Sequence, residues 1–332
     1  MKLRYPEYFD RFRCLASACP DSCCKEWDVL VDDATAAKYQ AMGGQLGDDL
    51  RSLLQQDADG DWYFPIVNGR CPMWRHDGLC RIQADRGHDA LCQTCRDFPR
   101  LTHDYGDFAE RGLALSCPEA ARIIFSTAPR WIEKEIPGGE APEYDPVDME
   151  ILLRTRKVML TILSDTGRSV PETLALALLY GYRAQDELDG GEQEPFNPVV
   201  ELAFARSAAK PGDPAALAAF YGDLEILTDA WRHLLHNPAP ATAWDERLRT
   251  FARYGVERYW LQAISDFDLV SRVKMIVAAC LLVRYLGGDV EKTAQLYAKE
   301  IENDADNVDA ILDAAYTCHA MTDDKLLGML ML

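Results

Sequence analysis

The stretch Cys14-Leu15-Ala16-Ser17-Ala18-Cys19-Pro20-Asp21-Ser22-Cys23-Cys24 sets four thiols close together near the start of the chain, too densely for ordinary packing. Further thiols follow in Cys71-Pro72, Gly78-Leu79-Cys80-Arg81-Ile82, Cys92-Gln93-Thr94-Cys95 and Ser116-Cys117-Pro118, so only Cys280 and Cys318 of the 11 cysteines lie later. A disulfide framework belongs to short secreted domains that cannot build a core. This chain has 332 residues, 48% of them hydrophobic. Its opening, Met1-Lys2-Leu3-Arg4-Tyr5-Pro6, lacks the apolar run of a signal peptide, and an odd cysteine total sits badly with complete pairing. The favoured reading is thiolate ligation of a soft metal or an iron–sulfur centre in a cytoplasmic protein.

The expected ligands are Cys19, Cys23, Cys24, Cys71, Cys80, Cys92 and Cys95, with Cys14 and Cys117 added to the set. Adjacent Cys23 and Cys24 need a turn or short helix to point the same way. Cys92 and Cys95 have the separation of a metal knuckle. Zinc stands beside iron–sulfur as an option, because four thiolates hold zinc tetrahedrally and nine cysteines suffice for two zinc ions. His76, His88 and His103 lie near the thiols but read as loop or surface residues, His233 and His236 as structural, and Cys280 and Cys318 as core.

A net charge of −19 argues against a nucleic-acid partner, since phosphate backbones are gripped through Lys and Arg. The longest apolar run, Met275 to Leu286, is far short of the ~20 residues of a membrane span and carries Arg284, so no membrane partner is expected. The thiol-rich half is the less acidic one. Arg70, Arg75, Arg81, Arg86, Arg96 and Arg100 run between its cysteines, where guanidinium groups could offset thiolate charge or grip a carboxylate.

Composition changes near residue 127. Repeated Pro and Gly between Thr127 and Pro146 break regular structure, so the chain divides into a cysteine-rich metal or iron–sulfur domain (1–127), a linker (128–146) and an all-α helical domain (147–332). Apolar residues from Met149 to Leu163 fall at helical spacing, and Pro171-Glu172 opens a second helix as N-termini favour. Further helices are predicted at about 197–209, 214–236, 244–262, 266–286, 290–303 and 305–318. In the first half, Trp62–Val67 and Phe108–Leu115 read as short strands, and Asp33–Met42, Gly47–Gln56 and Pro118–Ser126 as helices. The fold class is mainly α: a small irregular α+β cysteine-rich domain followed by an all-α one.

As a set, Cys19-Pro20-Asp21-Ser22-Cys23-Cys24, Cys71-Pro72-Met73-Trp74, Gly78-Leu79-Cys80-Arg81-Ile82, Cys92-Gln93-Thr94-Cys95-Arg96-Asp97-Phe98-Pro99-Arg100 and Leu115-Ser116-Cys117-Pro118-Glu119 closely resemble the flagellin lysine-N-methylase family. More distantly they resemble zinc- or iron-chelating cysteine-cluster proteins. The likeness is dense over residues 6–123 and weaker beyond. It implies an iron–sulfur cluster of the four-iron (4Fe-4S) type and methyl transfer from S-adenosylmethionine to lysine side chains of flagellin. Arg96 and Arg100, flanking Asp97-Phe98-Pro99, are then the candidates for holding the cofactor's carboxylate. Catalytic residues stay unassigned. A Rossmann-type fingerprint is missing, and Glu26 stands where a radical-type C-x3-C-x2-C would need its third cysteine. The cofactor would therefore be bound by other means, such as an iron not tied to cysteine. The alternative is a non-catalytic zinc- or iron–sulfur-binding protein acting as scaffold, sensor or electron carrier.

Overall fold

A computed structural model describes residues 1–126 and 129–332 of the chain. It is mainly α-helical, with its strands confined among the described residues to the first 135 positions. These are β1 (Lys2–Pro6), β2 (Val29–Val31), β3 (Gln55–Gln56), β4 (Trp62–Phe64), β5 (Arg100–Asp104), β6 (Phe108–Leu113) and β7 (Trp131–Glu135). Helices α1 (Asp33–Ala41), α2 (Gly44–Leu53), α3 (Arg81–Arg86), α4 (Gln93–Asp97) and α5 (Pro118–Ser126) lie among them. Then come α6 (Pro146–Leu163), α7 (Val170–Leu188), α8 (Pro198–Ala208), α9 (Pro214–Gly222) and α10 (Asp229–His236). The chain ends with α11 (Arg247–Tyr259), α12 (Leu269–Leu286), α13 (Val290–Ile301), α14 (Ala305–Thr317) and α15 (Asp323–Met331).

Two sheets divide the strands. The larger has the order β5-β6-β1-β7, with β1 parallel to β6 and antiparallel to β7. Alternation in β1 turns Leu3 and Tyr5 into the core, as a half-buried strand requires. The smaller sheet, β2-β4-β3, is antiparallel, and in β2 Val29 and Val31 are buried while Leu30 between them is exposed.

The larger sheet shares one core with the helices. Tyr5, Phe9, Phe108, Leu113, Leu115 and Ile124 belong to the same cluster as Leu152, Leu174, Trp260, Leu282 and Leu326. Residues 29–92 form a separate, smaller core around Tyr39, Leu50, Phe64 and Met73. Residues 131–135, inside the stretch read as a linker, are strand β7 paired along β1 from Lys2↔Glu135 to Pro6↔Trp131. The expected boundary between residues 127 and 128 lies outside the described residues, and the main core draws on both sides of it.

Helix α12 is buried around nearly its whole circumference and is the axis of the helical part. Glycines let its neighbours approach: a Cβ on Gly181 of α7 would lie 2.8 Å from Val273, and one on Gly255 of α11 2.7 Å from Ile276. The single helix predicted over 214–236 is two, α9 and α10. The buried Glu300 accepts from the Leu227 N–H at 2.8 Å and from the Thr228 hydroxyl, while Thr228 caps α10 through the Trp231 N–H. The helix predicted over 244–262 stops at Tyr259 and gives way to a 3-10 turn, Trp260–Ile264, in which the Trp260 indole donates to the Leu152 carbonyl at 3.1 Å.

Sheet and helices are locked by a buried ion pair. Arg156 of α6 donates both terminal nitrogens to Glu110 of β6 at 2.6 and 2.7 Å. With the side chains only 10% and 5% exposed, removing one partner strands the other's charge away from water. Arg156→Met should therefore lower the unfolding free energy by about 3–5 kcal/mol. Adding Glu110→Leu should recover much of that loss in the same chemical denaturation experiment.

Candidate metal centre

The small core collects thiols. Cys71 and Cys92 are members of it, and Cys24, Cys80 and Cys95 pack against it. Backbone hydrogen bonds fix their segments. Cys71 N–H donates to the Cys24 carbonyl at 2.8 Å, Trp74 bridges Cys80, and Arg81 N–H reaches the Met73 carbonyl at 2.8 Å. Cys80 and Cys92 are the cap residues before α3 and α4, so each sulfur sits where a helix begins. One helical turn then places Cys95 beside Cys92, as the C-x2-C spacing leads one to expect.

Asp32 is a second fixing point. One of its carboxylate oxygens caps α1 by accepting from Thr35 N–H at 3.0 Å, and the other accepts from Gln93 N–H at 2.8 Å, pinning the Cys92 turn to α1. Hydrogen bonds from these amides hold its carboxyl below the ordinary range. Tyr39, buried under the same turn, donates its hydroxyl to the Ala90 carbonyl at 2.8 Å.

The remaining thiols lie outside the small core. Cys117 is buried in the main core, Cys19 is half-buried, and Cys14 and Cys23 are exposed. All the cysteines are free thiols. Cys23 and Cys24 share a thiol hydrogen bond, which pulls Cys24 down to about 7 and pushes Cys23 up. Cys92 and Cys95 make a second such pair, lowering Cys92 and raising Cys95. Burial raises Cys71 to about 12 and Cys117 to about 11, and it raises Cys19 and Cys80 as well. The cause is the low-dielectric surroundings, which disfavour thiolate until a cation shares the space.

Among the described residues, no three His, Cys, Asp or Glu side chains stand as a ready cage for an ion. What the fold brings together on one small apolar core is five thiols, the Cys92–Cys95 pair with Cys71, Cys80 and Cys24, the last hydrogen-bonded to Cys23 outside it, a donor set that suits thiophilic metals. Filling it requires the sulfurs to turn toward a shared ion. His103 sits instead on β5 opposite Glu110, with its pKa lowered by burial. Arg96 lies in the last turn of α4, and Arg100 opens β5 with its guanidinium 5.1 Å from the centre of the Phe12 ring. Trp27 is 6.2 Å from Phe98, centre to centre, and Trp74 lies under Arg70 at 4.0 Å.

A lysine-N-methylase of Salmonella typhimurium (strain LT2) is 36% identical to the chain over 127 residues, covering 36% of the chain and 32% of that protein. The flagellar biosynthetic protein FliU of Salmonella muenchen is 35% identical over 127 residues, covering 36% of the chain and 75% of FliU. The chain belongs to the flagellin lysine-N-methylase family. A second member named lysine-N-methylase, from Salmonella choleraesuis, is 35% identical over 127 residues and covered over 32% of its length. The chain thus matches about a third of the length of the two family members that carry the methylase name. No family model and no solved structure matches the chain.

Exposure and burial give the thiols different reactivities. In metal-free native protein, iodoacetamide should label exposed Cys14 well ahead of Cys71, Cys80, Cys117 and Cys280, whose thiols burial raises, as read by peptide mass spectrometry. Equal labelling rates across these five would contradict the arrangement described.

Proposed function

We propose that the chain is a protein-lysine methylase of the cytoplasm that transfers methyl groups from S-adenosylmethionine to lysine side chains of flagellin and depends on a cysteine-held metal centre. The observation that carries the reading is the gathering of Cys24, Cys71, Cys80, Cys92 and Cys95 on one small core in a member of this family. Three of these five thiols would hold an iron–sulfur cluster of the four-iron type with one iron left free of cysteine, with zinc as the competing occupant. When bound, such a cluster would supply a Lewis-acidic iron to which the cofactor could be anchored.

The chain's own residues have three tasks. Arg96 and Arg100, on either side of Phe98-Pro99, offer guanidinium groups to a carboxylate. A lysine must be held and stripped of a proton, because the free ammonium has a pKa near 10.4 and carries no lone pair to attack with. As the nitrogen lone pair forms the new N–C bond, the S–CH3 bond of the sulfonium breaks with its electrons going to sulfur, and the proton leaves to solvent or a carboxylate. Third, the substrate protein must be attracted. A cleft of roughly 1290 Å³ at the far end of β5 is lined by Asp104, Glu140, Glu143 and Asp148 together with Tyr105 and Tyr144. Carboxylates beside aromatic faces complement a lysine-bearing segment by charge and by cation–π contact.

Co-expression with flagellin, followed by intact-mass and peptide mass spectrometry, tests the reading. Lysines should gain mass in steps of one methyl group, and Cys92→Ser/Cys95→Ser should abolish the gain. Unmodified flagellin beside metal-loaded protein would leave the scaffold, sensor or electron-carrier reading in its place.

A further inference from the structure

Strand β5 is an edge of the larger sheet, bonded to β6 on one side only. Two hydrogen bonds at the ends of that pair fix its phase: Tyr105 N–H donates to the Phe108 carbonyl at 2.9 Å and Ala114 N–H to the Pro99 carbonyl at 2.7 Å. The odd-numbered residues of β5 therefore turn their backbone groups to β6, and the even-numbered ones turn theirs outward. Among the described residues nothing pairs with the outward N–H and C=O of Thr102 and Asp104, and both residues line the cleft of roughly 1290 Å³. A free strand edge is a template for another strand, which proteins blunt with charge or cover. The opposite edge of the sheet, β7, is blunted by exposed Glu133, Lys134 and Glu135, with Glu133 bound to Lys2 and Arg4.

The edge of β5 is walled at a distance instead. The segment 139–145 packs beyond the end of the strand, where Glu140 N–H donates to the Gly106 carbonyl at 3.1 Å, and Gln262, Ser265 and Phe267, between α11 and α12, complete the lining. The space between is larger than the ~300–1,000 Å³ of a small-molecule site and has the size of a peptide site. Its lining says what such a peptide carries. Asp104, Glu140, Glu143, Asp145 and Asp148 bring carboxylates that form no ion pair among the described residues, while Arg272 is taken by Asp266 at 2.9 Å. Phe267 is 45% exposed and holds a left-handed backbone (φ 58°), a costly conformation for a bulky side chain. Gln185 of α7 imposes it: its Nε2 donates to the Phe267 carbonyl at 2.8 Å and its Oε1 accepts from Leu269 N–H at 2.7 Å. The strained turn sets an aromatic ring in an acidic cleft, a pairing that favours a lysine's methylenes and ammonium.

We infer that the cleft takes an extended, lysine-bearing polypeptide segment as an added strand on β5, bonded through the backbone of Thr102 and Asp104, with the lysine drawn between the carboxylates and the Phe267 ring. Main-chain hydrogen bonds along the edge supply affinity with little regard to sequence, and the acidic, aromatic lining selects the lysine. The inference rests on the methylase reading for what becomes of that lysine, while the docking itself rests on the free strand edge and the charge of the cleft.

Short synthetic peptides spanning each lysine of flagellin, titrated into anaerobically purified full-length protein and followed by fluorescence anisotropy, test the docking. Wild type should bind some of them, more weakly as salt rises. Thr102→Pro removes a donor that the fold does not use, so the sheet should survive it, yet binding should weaken roughly tenfold or more because the partner's carbonyl loses its donor. Phe267→Gly, which relieves the left-handed strain and should not lower Tm, should weaken binding roughly threefold or more. Methylating the backbone nitrogens of a bound peptide one at a time should abolish binding at alternate residues only, since an added strand uses one of its edges. No peptide bound by wild type, or undiminished binding to folded Thr102→Pro, overturns the docking. Should Thr102→Pro fail to fold, undiminished binding to Phe267→Gly or backbone methylation tolerated at every position overturns it instead. Methyl transfer from S-adenosylmethionine to the same peptides is read separately by mass spectrometry. Edge-dependent binding without transfer keeps the docking and sinks the methylase reading, whereas transfer at full rate by Thr102→Pro upholds that reading and overturns the docking.

Discussion

Thiols embedded in apolar surroundings ionise only where a hydrogen-bond donor or a positive charge stabilises the thiolate. The small core formed by residues 29–92 imposes this constraint on Cys71 and Cys92 and on the three cysteines packed against them. Burial alone raises Cys71 to about 12, and each lowered thiol, Cys24 and Cys92, owes its shift first to a hydrogen bond from a neighbouring thiol that is itself raised. A metal ion would reverse this balance, since ligated sulfur gives up its proton outright. The small core, built around Tyr39, Leu50, Phe64 and Met73, is far smaller than the main one, so ligation would also add cohesion to it.

That core is not free-standing scenery beside a helical bundle. Strand β1 sits in the middle of the larger sheet, between β6 and β7, and its buried Leu3 and Tyr5 belong to the main core. Glu110 and Arg156 then pin the sheet to α6. The first thiol segment, leaving β1 through Phe9 and Phe12, is thereby suspended between two cores: Cys24 faces the small one, while Asp21 and Glu26 are held by α13 from the large one. Chemistry at the thiols and packing of the helices are mechanically linked.

Much of this was readable in the residues, for physical reasons that differ between the halves. Helices announced themselves at their starts, as with Pro171-Glu172 opening α7 and Pro118 starting α5. The strands Trp62–Phe64 and Phe108–Leu113 showed their apolar character locally. Strand β7 did not, because the pairing that makes it a strand comes from β1, more than a hundred residues away, while its own neighbourhood is rich in Pro and Gly. The break between α9 and α10 was invisible for a similar reason: it depends on Glu300, which captures Leu227 and Thr228 from far along the chain. Lys299 is the extreme case. A lysine on an amphipathic helix reads as solvated surface, and nothing within its own segment reveals that Asp21 waits 278 residues earlier.

The central claim is that these sulfurs share a metal. X-ray absorption at the metal edge of anaerobically purified protein addresses it directly. The account expects a first shell dominated by sulfur at about 2.3 Å, whether the ion is iron or zinc, with a short metal–metal distance only for a cluster. A shell of nitrogen and oxygen alone, or protein free of metal with all its thiols open to titration, would contradict it.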